Sequence, residues 1–145
     1  MKIESILFPT DFSLKSSAAR EHTLYLAEAL GSRVHILHAI EPLEYETMDE
    51  EISDFYRNLE KLLEEKMADE KGVFEKRDLD VQTDIIIGQR WRVINNYARE
   101  KEIDMIVMGS HGFKTESGEV SIGTTSHKVM FTSPCPVLIV RHESE

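Results

Sequence analysis

The 145-residue sequence predicts an open, doubly wound α/β fold: a five-stranded parallel sheet with helices on both faces. Two observations predict it. Short runs rich in Ile, Val and Leu alternate with longer stretches of helical periodicity, and parallel strands separated by helices need crossover connections. The runs Met105 to Met108 and Val137 to Val140 are apolar at every position, as in strands buried on both faces. A chain of this length can bury one substantial core, so a single domain is expected over 1–145.

Each element follows from its own stretch of chain. "IESILFPT" is the first strand, ended by a proline that cannot donate to a ladder. "LKSSAAREHTLYLAEALG" carries Ala19, Leu26 and Leu30 at inward helical spacing and stops at Gly31, where a left-handed cap fits. "RVHILHAI" is the second strand. A long amphipathic helix follows, opened by Thr47 and Glu50 in capping-box spacing, with Ile52, Phe55, Tyr56, Leu59, Leu62, Leu63 and Met67 on one face. "VQTDIIIG" is the third strand, and "RWRVINNYAREK" a helix with Ile94 and Ala98 inward. "IDMIVMG" is the fourth strand, "TTSHKVMF" a short helix and "PVLIV" the last strand.

Composition narrows the function. With 41% hydrophobic and 30% charged residues, the chain reads as globular and soluble. No apolar run approaches a membrane span, and the opening "MKIESILFPTDF" lacks the pattern of a secretory signal, so the expectation is a cytoplasmic protein with no membrane partner. The single cysteine, Cys135 in "SPCPVLIV", excludes an internal disulfide and reads as a small buried residue. A net charge of -10 argues against a nucleic-acid partner, which needs clustered Lys and Arg. The acid gathers between Glu41 and Glu70, where twelve acidic residues face three basic ones, and it reads as a solvated helix face or a dock for a basic partner.

In doubly wound sheets ligands lie beyond the carboxyl ends of the strands, where strand order reverses. Two segments sit at such ends: "PTDFS" after the first strand and "GSHG" after the fourth. If those strands are neighbours, both segments face one crevice. From Met108 to Val129 the chain carries four glycines and several hydroxyl side chains, a composition suited to backbone approaching a phosphate, or to a plain surface loop. "GEVSIGTT" has the glycine spacing of a Walker loop, but Thr124 stands where its lysine belongs, and no G-x-G-x-x-G occurs. What remains is a Gly-x-x-Gly turn, a ten-residue excursion, and Gly123-Thr124 opening a helix whose free N–H groups can hold an anion. Asp11 can accept from hydroxyls, hold Mg²⁺ or simply cap the next helix, and Thr124 can ligate or cap. His111 is either a phosphate donor or an exposed turn residue. His35 and His38 point to opposite faces of their strand and read as packed or hydrogen-bonded, while Trp91 reads as core or interface.

The sequence resembles the universal stress protein family. Four stretches carry the likeness in order: "ILFPTDFS", "LAEALGSRVHILHAIEP", "DMIVMGSHG" and "GTTSHKVMFTSPCPVLIVR". The resemblance implies the adenine nucleotide alpha hydrolase-like fold and, for the family's nucleotide-binding branch, ATP, ADP or AMP as ligand, with Mg²⁺ reaching Asp11 and Thr124 through the nucleotide. In that branch two glycines are separated by two residues, and nine more precede a glycine followed by Ser or Thr. Here Gly109, Gly112, Gly123 and Thr124 fill those places, with ten residues in the longer gap. By position, Pro9, Thr10 and Asp11 would line the adenosine side, with Ala39 at the adenine edge and Met108 flanking the base. Gly109, His111 and Gly112 would approach the phosphates, and Gly123, Thr124 and Thr125 would receive them. The resemblance also implies a homodimer, for which the final strand, Val137 to Val140, is a plausible contact. The function expected is a nucleotide-dependent stress-response or signalling switch. A slow ATP phosphohydrolase and a dimeric interaction protein without nucleotide are the alternatives.

Overall fold

The structure is a computed structural model that describes residues 1–42, 49–110, 113–114, 120–121 and 124–142, the four residues of 113–114 and 120–121 by backbone alone. Its strands are β1 (Ser5–Pro9), β2 (Arg33–Ile40), β3 (Val81–Ile87), β4 (Met105–Ser110), β5 (Phe113–Lys114), β6 (Val120–Ser121) and β7 (Val137–Arg141). Its helices are α1 (Ser17–Leu30), α2 (Glu50–Glu75), α3 (Arg90–Glu100) and α4 (Thr124–Thr132), with one 3-10 turn at Leu14–Ser16. Five strands form one parallel sheet in the order β3-β2-β1-β4-β7. The small β5–β6 pair is a separate antiparallel ribbon beyond the end of β4.

Strand alternation sorts the core into two layers. Ile6, Phe8, Val34, Ile36 and Val107 face Ala19, Leu24 and Ala27 of α1 and Met67 and Phe74 of α2. Leu7, Leu37, Ala39, Ile106 and Met108 face Ile94, Tyr97 and Ala98 of α3 and Val129 of α4. Two helices on each face make the sheet doubly wound, and the inward placement of Ile94 and Ala98 agrees with their spacing. Strand order reverses between β1 and β4, which pair directly at Ile6–Met105 and Leu7–Ile106. The two loop segments singled out in the sequence therefore leave neighbouring strands at the switch point.

Three expectations need correction. Leu30 is 49% exposed, because the last turn of α1 carries it past the core before Gly31, at φ 68°, turns the chain towards β2. Phe55 and Leu62 are 53% and 49% exposed. At about 1.5 Å per residue α2 is much longer than the strands beneath it, so Phe55 in its early turns overhangs, while Leu62 lies off the face on which Leu63, Met67 and Phe74 are covered. The cap of α2 is Asp49, whose Oδ1 accepts from the Ile52 N–H at 2.9 Å; Thr47 lies outside the described residues.

Candidate functional site

At the carboxyl ends of β1, β2 and β4 the chain leaves a crevice of about 530 Å³, counted out to its open mouth. Its first wall is built by the turn after β1. Pro9 ends the strand, and the Thr10 N–H still reaches the Leu37 carbonyl at 2.9 Å. Thr10 Oγ1 then accepts from the Phe12 N–H at 3.0 Å, and Phe12 takes a left-handed φ of 63°, so the chain reverses sharply. Asp11 Oδ1 accepts from the Ser13 N–H at 2.9 Å and from the Ser16 hydroxyl at 2.8 Å. Those two bonds fix the Asp11 carboxylate beside the start of α1, where Ser16, the cap residue, makes no side-chain cap bond of its own. The capping role read from the sequence thus takes an indirect form: Asp11 secures the turn that leads into the helix.

The opposite wall is the end of β4 and the start of α4. Gly109 has a reason for lacking a side chain that lies inside the protein, since a Cβ there would stand 3.3 Å from the Lys15 carbonyl oxygen. The absent side chain lets the turn before α1 close against β4. The Ser126 hydroxyl donates to the Gly109 carbonyl at 3.0 Å and pins the first turn of α4 to the strand end. Thr125 lines the crevice beside it, while Thr124, the first residue of α4, is exposed and does not. The first N–H groups of α4 are in the positions that in-helix bonding leaves open.

β2 and α3 close the third side. His38 donates through Nδ1 to the Thr10 carbonyl at 2.7 Å, because a carbonyl can only accept, and its ring packs on Phe12 with centroids 4.8 Å apart. Burial holds the His38 imidazole below its ordinary pKa, helped by Arg90 and Lys66 and opposed by the Thr10 bond and by Asp11. Arg90 and Ile94 bring the first turns of α3 to the rim, where the Arg90 N–H donates to Glu41 Oε1 at 3.3 Å. Leu37, Ala39, Ile94 and Met108 give the crevice an apolar interior.

Of the residues expected at a site, Pro9, Thr10, Asp11, Ala39, Met108, Gly109 and Thr125 line this one crevice. His111, Gly112 and Gly123 lie outside the described residues. Sequence reasoning missed Ser16, Leu37, His38, Arg90, Ile94 and Ser126 as wall residues. A helix-period signal existed for Ile94, one turn after Arg90, and Ser126 adjoins Thr125. His38 was read as hydrogen-bonded, and it is, but its place on the wall depends on the β1–β2 pairing. Trp91 stands apart from the crevice, half-buried, with the Arg92 guanidinium 5.1 Å and the Lys128 ammonium 5.7 Å from its ring centre. Cys135 is half-buried, and burial pushes its thiol pKa up, the reverse of an activated nucleophile. Among the described residues no three His, Cys, Asp or Glu side chains gather to hold a metal.

The universal stress protein family profile matches residues 2–141. The chain belongs to the universal stress protein family. The universal stress protein MJ0577 of Methanocaldococcus jannaschii is 30% identical over 157 residues, which span 97% of this chain and 96% of that one. The solved structure of MJ0577 superposes with a TM-score of 0.80 at 29% identity over the full length of both chains. Two other universal stress protein structures share the fold and hold nucleotides. One, in complex with cAMP, has a TM-score of 0.71 at 21% identity and covers 99% of this chain and 100% of its own. The other, from Archaeoglobus fulgidus in complex with dAMP, has a TM-score of 0.66 at 18% identity and covers 96% of this chain and 98% of its own. The family assignment, the parallel five-stranded sheet and its double winding thus agree with the sequence reading.

Proposed function

We propose that this universal stress protein binds an adenine nucleotide, ATP or its ADP and AMP relatives, in the β1–β4 crevice, and that occupancy switches a stress-response surface. One observation carries the proposal: a single crevice is lined by four apolar residues, Leu37, Ala39, Ile94 and Met108, by a fixed carboxylate, Asp11, and by Thr125 in the first turn of α4. That combination of an acceptor, an apolar surface and helix-start amide donors fits a ribose, a base and a phosphate chain. The cAMP and dAMP complexes of fold neighbours support the ligand class.

The site fits a magnesium nucleotide better than a protein-bound metal. Asp11 would supply one carboxylate, and the phosphates and water the rest of the shell. Gly109, His111, Gly112 and Gly123 would line the phosphate side. In this reading the protein is a one-domain cytoplasmic homodimer, paired through the final strand, Val137 to Val140, and it senses nucleotide more than it turns it over.

Calorimetric titration with ATP, ADP and AMP, with and without Mg²⁺, tests the reading, and Thr125→Asp sharpens it. A carboxylate in the first turn of α4 favours the helix dipole and leaves the fold intact. It also repels phosphate, so ATP affinity should fall more than tenfold, by roughly the 1.4 kcal/mol per decade or more, while adenosine is little affected. Absence of saturable ATP binding to the parent protein would sink the proposal. Multiple turnover of ATP would move it to a phosphohydrolase.

A further inference from the structure

β3 is an outer strand of the sheet, paired with β2 on one side, and among the described residues no strand pairs with its other side. Its bonds to β2 show which groups are left over. The Asp80 carbonyl accepts from the Val34 N–H at 2.9 Å and the Gly88 N–H donates to the Ile40 carbonyl at 2.9 Å, so the even-numbered residues turn their peptide groups towards β2. Alternate residues of a strand face opposite ways. Val81, Thr83, Ile85 and Ile87 therefore aim both N–H and C=O away from the sheet, and that row is a template for another strand. Their side chains share a face too. Val81 and Ile85 pack into the layer of α1 and α2, which puts Thr83 and Ile87 on that side and leaves Ile86 exposed on the side of α3.

α2 turns this edge into a groove. About 790 Å³, counted out to the open mouth, lies between Glu64, Met67, Ala68 and Lys71 of α2 and the stretch of β3 from Thr83 to Ile85. Charge decides what the groove accepts. α2 carries nine acidic residues against four basic, and among the residues lining the groove Glu64 and Asp84 outnumber Lys71. A second copy of the chain would bring the same acid to the edge, whereas a basic segment is attracted. We propose that the β3–α2 groove docks a partner protein, which adds to the sheet an extended segment alternating Lys or Arg with small apolar residues. Main-chain bonds to the outward row supply affinity, and the two faces of the segment supply selection. The basic side chains lay their stems over Met67, Ala68 and Ile85 and carry their charge to Glu64, while the apolar ones cover Ile86. This role is independent of the nucleotide reading above.

The probe is a fluorescein-labelled peptide alternating Lys and Val, of the same seven-residue length as β3, titrated with the full chain and followed by anisotropy. It should bind saturably, one to a subunit, and the same peptide with Glu in place of Lys should not bind. Methylation of every backbone nitrogen of the peptide should weaken binding at least about tenfold, because the main-chain bonds are lost while the charge stays. Thr83→Pro should do the same from the protein's side, since it removes an outward N–H and leaves the ladder to β2 intact. Glu64→Lys, a change on an exposed helix surface, should weaken binding about threefold or more. Absence of saturable binding to the parent protein overturns the proposal. So does equal binding of the methylated peptide, or an affinity that neither variant moves. If Thr83→Pro does not fold, as judged by circular dichroism, the methylated peptide decides the backbone pairing and Glu64→Lys the place. A parent protein that pairs with its own copy through β3, and is dissociated by Ile86→Lys, also overturns it, because the edge then belongs to a second copy.

Discussion

Asp11 can be separated into charge and shape. Its Oδ1 accepts from Ser13 and Ser16, and an amide oxygen can take over both bonds. Asp11→Asn should therefore keep the urea midpoint of the parent while losing the Mg²⁺-dependent part of ATP affinity. Asp11→Ala should lower stability by about 1 kcal/mol, the usual cost of a lost helix-entry acceptor, and weaken ATP and adenosine alike. Equal ATP affinity in the three proteins would remove Asp11 from the site. A second residue-scale prediction concerns protons. His35 is 4% exposed and its Nδ1 lies 3.0 Å from the Tyr97 hydroxyl, whose own proton goes to Asp84 Oδ2 at 2.6 Å, so His35 must be the donor. Burial, chiefly, lowers the pKa of both His35 and His38 from 6.5. The unfolded chain then takes up protons before the folded one does, so stability is full above pH 6.5 and declines as pH falls below it. Glu70, whose carboxyl is pushed up by burial against the pull of Arg20, acts in the opposite sense nearer the carboxylate range. Urea melts across this window should show the midpoint falling first with acid; a flat profile between neutral pH and the onset of carboxylate titration would contradict it.

At the scale of elements, the joints matter more than the elements. Tyr97 of α3 links β2 and β3 by holding His35 and Asp84 at once, and removing its hydroxyl leaves a buried imidazole N–H without an acceptor. Tyr97→Phe should cost about 1–3 kcal/mol, the desolvation cost of an unsatisfied buried group, measured as a lower urea midpoint with the slope unchanged. Gly109 is the corresponding joint between β4 and the turn before α1. Because a Cβ at this glycine would crowd backbone, at the Lys15 oxygen, Gly109→Ala should be destabilising even without nucleotide, by about 1–2 kcal/mol as overpacking usually is. The sequence made β1 and β4 legible because burial on both faces removes polar residues from their centres, and Gly31 marked a helix end because a left-handed residue was needed. It also pointed to both sides of the crevice, since Asp11 and Gly109 each sit at a strand end. It could not show that Phe55 overhangs the sheet or that Leu62 falls outside the covered face, because helical spacing records a face but not what lies beneath it. Nor could it reveal His38, Arg90 and Ser16 as wall residues. Their placement comes from which strands are neighbours, and that is set by crossovers, not by local pattern.

The whole molecule presents two open sheet edges, β3 and β7, and they are not equivalent surfaces for self-association. β3 exposes Ile86 and Ile87, but it also carries Asp84 within the strand and Gln82 exposed, polar groups of the kind that guard an edge. It lies under α2, the helix that holds most of the acidic stretch, so pairing two copies there would bring like charges together. β7 has no charged residue before Arg141, exposes Leu138, and adjoins α4, where Met130 and Phe131 are 41% and 72% exposed. It also stands at the other end of the sheet from β3, so two subunits joined through it keep their acidic helices apart. A β7 dimer should consequently depend little on salt, whereas a β3 dimer would tighten as salt screens the repulsion. Sedimentation velocity over a concentration series should find a dimer that Leu138→Lys and Phe131→Glu convert to monomer and that Ile86→Lys leaves intact. Dissociation by Ile86→Lys alone, or a parent protein that stays monomeric, would refute pairing through the final strand.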